Sequence, residues 1–494
     1  MNILLILTTV VPLLWLGYAL VSKIVKPYIA CLISLVITSL GAIFIWKMPN
    51  NVFLWSIIDG IIFSFCPILW TIFSALFTYR LICEVGAIEG IKRTLSIISK
   101  DLLVQALVVA FCFGSLLEGL AGFGTSVIVP SAILISLGFP LFQSALIPLI
   151  SNTVPVVYAA VGVPIITLAR VTSLPLKLLT RTIAVQLLPV TVIIPFLIKR
   201  ELKIQGNLLI VLGSGIVFAL SQILVAWYIG PELPAILAPI ATILFLFFYS
   251  KMRGKWGKLS LELEIKDVLS WIPYILIVVF ILITRFSPSF TTALTNFPFS
   301  IIYPLDALEK TIKIDFIYTP GTLIMFSAVI SGLVLKAKFS DFKRAFIGTI
   351  SQMIPTVLIM VSMVVMSNIM GYSGMTKLLS NILVHTFGRF FPFISPFLGA
   401  IGTFLGGSDT TSNVLFGKLQ VEAGRSIKVS EVWLASANAT GATGGKLISL
   451  QNLTLAASGI GKSGEEGTLM KYIFPYCIFY LLVMGLTIFI GSML

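Results

Sequence analysis

Three charged residues sit beside glycine inside sequence that is otherwise almost free of charge: Glu118 in EGLAGFGTS, Asp409 in GGSDTTS and Lys446 in GATGGK. An ionised side chain near the centre of a bilayer costs about 2.5–3.5 kcal/mol on insertion scales, so a charge retained there is a functional candidate by default. Burial disfavours the charged form of a carboxyl group, which suits Glu118 and Asp409 to carrying a proton near neutral pH. A lone buried lysine suits a different task, holding a carboxylate ligand. The simpler readings are a helix N-cap for each acid and a lysine reaching up to the headgroups. Asp59 is a further embedded acid, with a place near the membrane interface as its simpler reading. His385, the only histidine, lies in the amphipathic stretch MTKLLSNILVHTFGRF, where a surface position is expected rather than a proton relay.

Uncharged polar residues accompany these charges at matched positions. A Thr-Ser pair (Thr125 and Ser126; Thr411 and Ser412) is followed, 26 residues after its serine in both places, by an asparagine, Asn152 and Asn438. Equal spacing implies an internal repeat. Interruptions of apolar segments at corresponding places in two halves point to a transporter substrate site. Gly122 and Gly124, with Gly406 and Gly407, permit helix breaks, and the exposed amides at such a break bind anions without a full cation. Ser126, Asn152, Ser412, Asn413 and Asn438 complete a polar shell. Close helix packing through small residues is the competing reading; two matched clusters with embedded carboxylates favour a site.

The elements that must position these residues are membrane helices. Hydrophobic residues make up 58% of the 494 and charged residues 11%, with a mean hydropathy of +1.08, which describes a polytopic membrane protein. Stretches long enough to cross as helix lie near 3–22, 28–46, 54–78, 102–117, 183–198, 207–229, 232–250, 268–284, 318–335, 346–370 and 472–491. With the repeats added, the expected fold is all-α with roughly 12–14 transmembrane helices, inverted repeats, and broken or re-entrant helices at the midplane. Residues 2–22 lack the basic start of a signal peptide and are expected to be a retained first helix. The expected organisation is an N-terminal half over 1–250 with the first repeat at its core (55–200), connecting loops and one helix over 251–317, and a C-terminal half over 318–494 carrying the second repeat.

The net charge of +14 fits a positive-inside bias better than nucleic-acid binding. The basic connections at 80–100, 199–203, 251–266 (with Lys255 and Lys258) and 336–344 are therefore expected in the cytoplasm. The 229–232 connection and the 285–317 segment, where Asp306 and Glu309 offset the basic residues, are expected outside, as is the N-terminus. The two repeats then enter from opposite sides. The connection after the first Thr-Ser pair is uncharged, whereas the second carries Lys418, Arg425 and Lys428, a difference expected from opposite sidedness. One count stays open. Arg170, Lys177 and Arg181 fit the cytoplasm, yet a single span at 183–198 would then put Lys199 and Arg200 outside, so either 142–168 is a hairpin or 183–198 does not fully cross.

Cys31, Cys66, Cys83, Cys112 and Cys477 are scattered without paired spacing, so they read as small apolar side chains. No catalytic, nucleotide-binding or metal-binding motif stands in the chain; no enzyme activity, cofactor or metal is expected, and transport must draw on an ion gradient or the substrate's own.

At EGLAGFGTSV (118–127), NTVPVVYAAVGVPI (152–165), QLLP (186–189), IGPELP (229–234), GSDTTSNVLFGKLQ (407–420) and ANATGATGGKLISLQN (437–452) the sequence resembles the lactate permease family of prokaryotes. The resemblance implies a plasma-membrane permease importing L-lactate, D-lactate and glycolate with protons. It carries the family's motif residues onto Glu118, Gly122, Gly124, Asn152, Ser408, Asp409, Asn413, Asn438, Lys446, Ser449 and Gln451. The implied partners are a small carboxylate, a proton and membrane lipids, in a monomer or a homodimer. The rival within transport is a sodium-coupled carboxylate symporter; outside it, a membrane-embedded enzyme or a receptor.

Overall fold

The computed structural model describes residues 3–22, 24–96, 98–122, 124–205, 207–254, 264–295, 300–305 and 310–493; Lys255, Lys258, Asp306 and Glu309 lie outside them. The fold is all-α and polytopic. Among the described residues 11 helices are long and apolar enough to cross a bilayer, or up to 12 when one bent pair is counted as a span. The exception to helix is a short antiparallel hairpin in the expected external segment, Ser300–Leu305 against Lys310–Asp315.

Both glycine-rich motifs are tips of re-entrant hairpins. Leu102–Leu120 is long enough to cross, but the chain reverses after Leu120 and Thr125–Ser136 runs back beside it, with Gly114 lying against the Ser126 carbonyl and the Pro130 ring. Phe391–Gly406 likewise turns at Gly407 and Ser408 into Asp409–Ile427, and the Ser412 hydroxyl fastens the two arms by donating to the Gly399 carbonyl at 2.7 Å. At the second tip Gly407 adopts φ 71°, a left-handed conformation that side chains with a Cβ rarely take. A broken span follows each hairpin. Leu141–Ser151 and Val156–Thr172 meet at 60°, and Glu431–Lys446 gives way at 447–449 to Leu450–Gly459.

The two units interlock reciprocally. Asp409–Ile427 packs on Ala159–Thr172, where Asn413 Nδ2 donates to the Pro164 carbonyl at 3.1 Å. Thr125–Ser136 packs on Leu450–Gly459, with Gly459 against Ile128. The returning arm of each hairpin thus lies on the second half of the other unit's broken span, the relation expected of inverted repeats.

Three sequence expectations are corrected. A hairpin returns to the side it entered, so the connection after each tip stays on that side. Gln143 Nε2 near the first connection donates to the Glu201 carbonyl at 2.7 Å, the helix end that carries Lys199 and Arg200. The second connection lies at the other face: Trp433 Nε1 bonds the Ile488 carbonyl, while the Tyr476 hydroxyl, lower on the same helix, bonds Glu201. The basic connection with Arg425 and Lys428 is therefore opposite Lys199 and Arg200. Its charge is tolerated there because Arg425 pairs with Glu431 at 2.8 Å and Glu422 at 3.1 Å.

The open count also closes in a way the sequence did not offer. Leu176–Glu201 is one continuous helix of 26 residues, and the hairpin lies one element earlier, at 102–136. Arg170, Lys177 and Arg181 consequently sit at the opposite face from Lys199 and Arg200. Local partners hold two of them there: Arg181 donates to the Trp227 carbonyl at 3.0 Å and covers its ring, and Arg170 lies 4.5 Å from the Phe63 ring centroid. Finally, the equal 26-residue spacing does not reflect equal geometry. Asn152 caps the helix at the first break, whereas Asn438 lies two turns before the second, about 12 Å along the axis. The hairpin arm and first half-span of the second repeat have 19 and 16 residues against 12 and 11 in the first.

Candidate functional site

The hairpin tips and the broken spans converge on one cavity of about 50 Å³, lined by Glu118 and Gly122 from the first unit and Gly407, Ser408, Asp409, Thr410, Lys446 and Gln451 from the second. Its remaining wall is the broken segment of the first unit, Val156, Ala159, Ala160, Val163 and Pro164, together with Ile72 of the helix Trp70–Glu84. There Ala160 and Val161 take φ 44° and 57°, left-handed values that cost roughly 1–2 kcal/mol per residue and are held by the surrounding packing.

Each charge is buried in its own way. Glu118 is at 1% exposure in the last turn of Gly114–Leu120, not at an N-cap, and its carboxylate accepts from the Ser126 hydroxyl across the first tip at 2.5 Å. Asp409 opens Asp409–Ile427, where the helix dipole favours a negative group. One of its oxygens accepts from Thr403 Oγ1 at 3.2 Å, while the other, Oδ2, is buried without a hydrogen-bond partner among the described residues. Lys446, at 6% exposure, does not reach for a headgroup. It ends Glu431–Lys446 and points Nζ at the Gly407 carbonyl of the facing tip, 3.4 Å away. Among the described residues no carboxylate comes within the 4.0 Å of Nζ that defines an ion pair. A cation, a partly bonded carboxylate and a second carboxylate thus face one small volume.

The other sequence candidates form outer layers. Gln451 lines the cavity and would touch any Cβ placed on Gly407. Ser449 caps Leu450–Gly459, accepting from the Asn452 amide. Asn438 Nδ2 donates to Asn413 Oδ1 at 3.0 Å and lies beside Ser412, so these three residues knit the second hairpin to its half-span and do not line the cavity. Gly124 faces Leu455 and Asn452. Asn152 is not brought to the cavity: its amide is buried at the first break with neither polar atom bonded among the described residues. Asp59 also lies elsewhere, accepting from Asn368 at 3.0 Å, and His385 is exposed.

Sequence reasoning missed Thr403, the hydroxyl on Asp409, and Asn452, a buried amide with both polar atoms free among the described residues. It also missed the left-handed turn at 160–162. Thr403 stands in GTFLGG, one helical turn and a half before Asp409, a spacing that only a hairpin turns into contact. A second, outer cavity of about 250 Å³ is lined by Ile166 and Arg170 of the same helix, with Glu232, Thr284 and Tyr318.

The sequence pattern of the family described as L-lactate permease matches residues 5–494. The chain belongs to that family. An L-lactate permease of Streptococcus iniae is 35% identical over 437 residues, covering 86% of this chain and 92% of that protein. The L-lactate permease of Escherichia coli strain K12 is 31% identical, over 96% of this chain and 93% of its own length. The Glycolate permease GlcA of the same strain is 30% identical, over 97% and 94%. The permease described here is therefore a multi-pass protein of the plasma membrane, and its two hairpin tips and broken helices are features of a chain that aligns with permeases from end to end.

Proposed function

We propose that this permease imports L-lactate and related 2-hydroxymonocarboxylates, D-lactate and glycolate among them, together with protons. The observation that carries the proposal is the shared cavity, in which a buried lysine that forms no ion pair among the described residues faces two buried acids from opposite repeats. The substrate carboxylate takes the place opposite Lys446 and the first-turn amides of Asp409–Ile427. Its hydroxyl bonds Ser408 or Gln451. Glu118 or Asp409 carries the proton; Asp409 Oδ2, unbonded among the described residues, is free to accept one. One proton moving with one monoanion transfers no net charge, so the loaded cavity can change sides without working against the membrane potential. The outer cavity is lined in part by Ile166 and Arg170 of the helix that also walls the central cavity.

The test is uptake into proteoliposomes at an imposed pH gradient, with sodium replaced by choline. Accumulation of L-lactate that follows the pH gradient and ignores the cation is expected. Uptake that collapses in choline would replace the proton by sodium as the coupling ion, and no accumulation under either gradient would remove secondary transport altogether.

A further inference from the structure

The long membrane segment Asn50–Glu84 borders three volumes in turn. Cys66 and Pro67 line the outer cavity of about 250 Å³, Ile72 lines the central cavity of about 50 Å³, and Ala75, Tyr79 and Ile82 line a void of about 10 Å³. Residues 72, 75, 79 and 82 share one helical face. The helix Ala159–Thr172 repeats part of this relation, with Val163 and Pro164 on the central cavity and Ile166 and Arg170 on the outer one. Two helices therefore join the outer cavity to the central one, and Arg170 follows Val163 by about 10 Å along the axis. The void at the other end holds no more than one water.

The large volume lies on the external side. Ile272–Phe286 rises from the basic 251–266 connection and Pro320–Val334 descends to the basic 336–344 connection. Thr284 and Thr319, which line the outer cavity, are thus at external helix ends. Arg170 is its incompletely satisfied cation. Nη1 donates to the Cys66 carbonyl at 3.4 Å and the guanidinium covers the Phe63 ring, but Nη2 has no hydrogen-bond partner among the described residues. Among them no carboxylate comes within the 4.0 Å that defines an ion pair with Arg170. Glu232 and Asp315 also line the cavity, each with an interaction of its own.

A charge kept within a membrane helix needs a reason, and a guanidinium with an unbonded edge matches a carboxylate. We propose that the outer cavity is a second binding site for the substrate, in which Arg170 holds the carboxylate of a 2-hydroxymonocarboxylate arriving from outside before it passes to Lys446. The proposal rests on the carboxylate transport argued for the central cavity. It adds a separate site with its own cation, reached first.

Cys66 is a native reporter in the cavity wall, and Cys31, Cys112 and Cys477 are buried. The test uses right-side-out, de-energised membrane vesicles carrying the Cys83→Ser protein, with modification of Cys66 by impermeant methanethiosulfonates followed by mass. The anionic reagent should react faster than its cationic counterpart. L-lactate should slow the reaction, and uncharged lactamide should not. Arg170→Gln should raise the half-protecting L-lactate concentration about tenfold or more and abolish the preference for the anionic reagent, while Arg170→Lys keeps both. Lys446→Gln, in the other cavity, should leave protection in place. Failure of Cys66 to react from outside, preference for the cationic reagent, or protection unchanged in Arg170→Gln would overturn the proposal. So would protection lost in Lys446→Gln, which would put the protecting ligand in the central cavity. The reagent preference is read on the native arginine, so it does not depend on the folding of a variant. Protection by L-lactate without pH-driven accumulation would support the outer site and overturn the proton-coupling reading alone.

Discussion

Lys446 and the two acids of the cavity differ in how completely each is already satisfied. Among the described residues Glu118 has a hydroxyl from the opposite arm of its own tip, Asp409 has one oxygen bonded and one not, and Lys446 has a single backbone carbonyl at 3.4 Å. A lysine so weakly bound within the protein retains most of its capacity for a ligand. Removing its charge in Lys446→Gln deletes a charge-assisted hydrogen bond worth about 1.5–3 kcal/mol. The KM for L-lactate should therefore rise roughly 10- to 100-fold, measured as initial uptake in proteoliposomes, with the protein still monodisperse. The Thr403 hydroxyl donates to Asp409. Thr403→Val keeps the side-chain shape and should alter the pH dependence of uptake more than the KM, whereas a purely structural threonine would leave the pH profile in place.

Among the elements, the second hairpin is seated on its half-span by close backbone contact. A Cβ on Gly441 would fall 2.0 Å from the Pro396 carbonyl oxygen and 2.3 Å from its Cα, so Gly441→Ala must push apart Phe391–Gly406 and Glu431–Lys446. Overpacking of this kind costs about 1–3 kcal/mol or more. The melting temperature in detergent should fall by several degrees, while Gly467→Ala, with open space around it, should leave it unchanged. What the sequence could disclose ends near here. Glu118, Asp409 and Lys446 were legible because a charge in an apolar segment needs a reason, and the cavity joins all three. The tips were legible from their glycines. Asn438 was misleading because a spacing counts residues, not turns from a break, and the second repeat has the longer arms. The direction of a hairpin was hidden too: Leu102–Leu120 has the length and hydropathy of a crossing helix, and only its packing against Thr125–Ser136 shows that it turns back.

At the scale of the whole molecule, the reciprocal packing of the two units sets which connections face which side. In a background lacking Cys83, a membrane-impermeant maleimide applied to intact cells should label Ser426→Cys, beside the second connection, and leave Ser136→Cys, beside the first, unlabelled until the cells are opened. Labelling of both from outside would break the inverted arrangement. The same arrangement makes the central cavity belong to both repeats, with a buried lysine on one and an acid on each. Import against a gradient needs an acid that gains and loses a proton, but exchange of labelled for unlabelled substrate needs only a loaded cavity that can change sides. The most direct measurement is therefore both activities on the same proteoliposomes, for the unaltered permease, Glu118→Gln and Asp409→Asn. In at least one variant, pH-driven accumulation of L-lactate should be lost while exchange persists. If both variants still accumulate L-lactate along the pH gradient as the unaltered protein does, neither acid carries the proton and the cavity between the tips is not where coupling occurs.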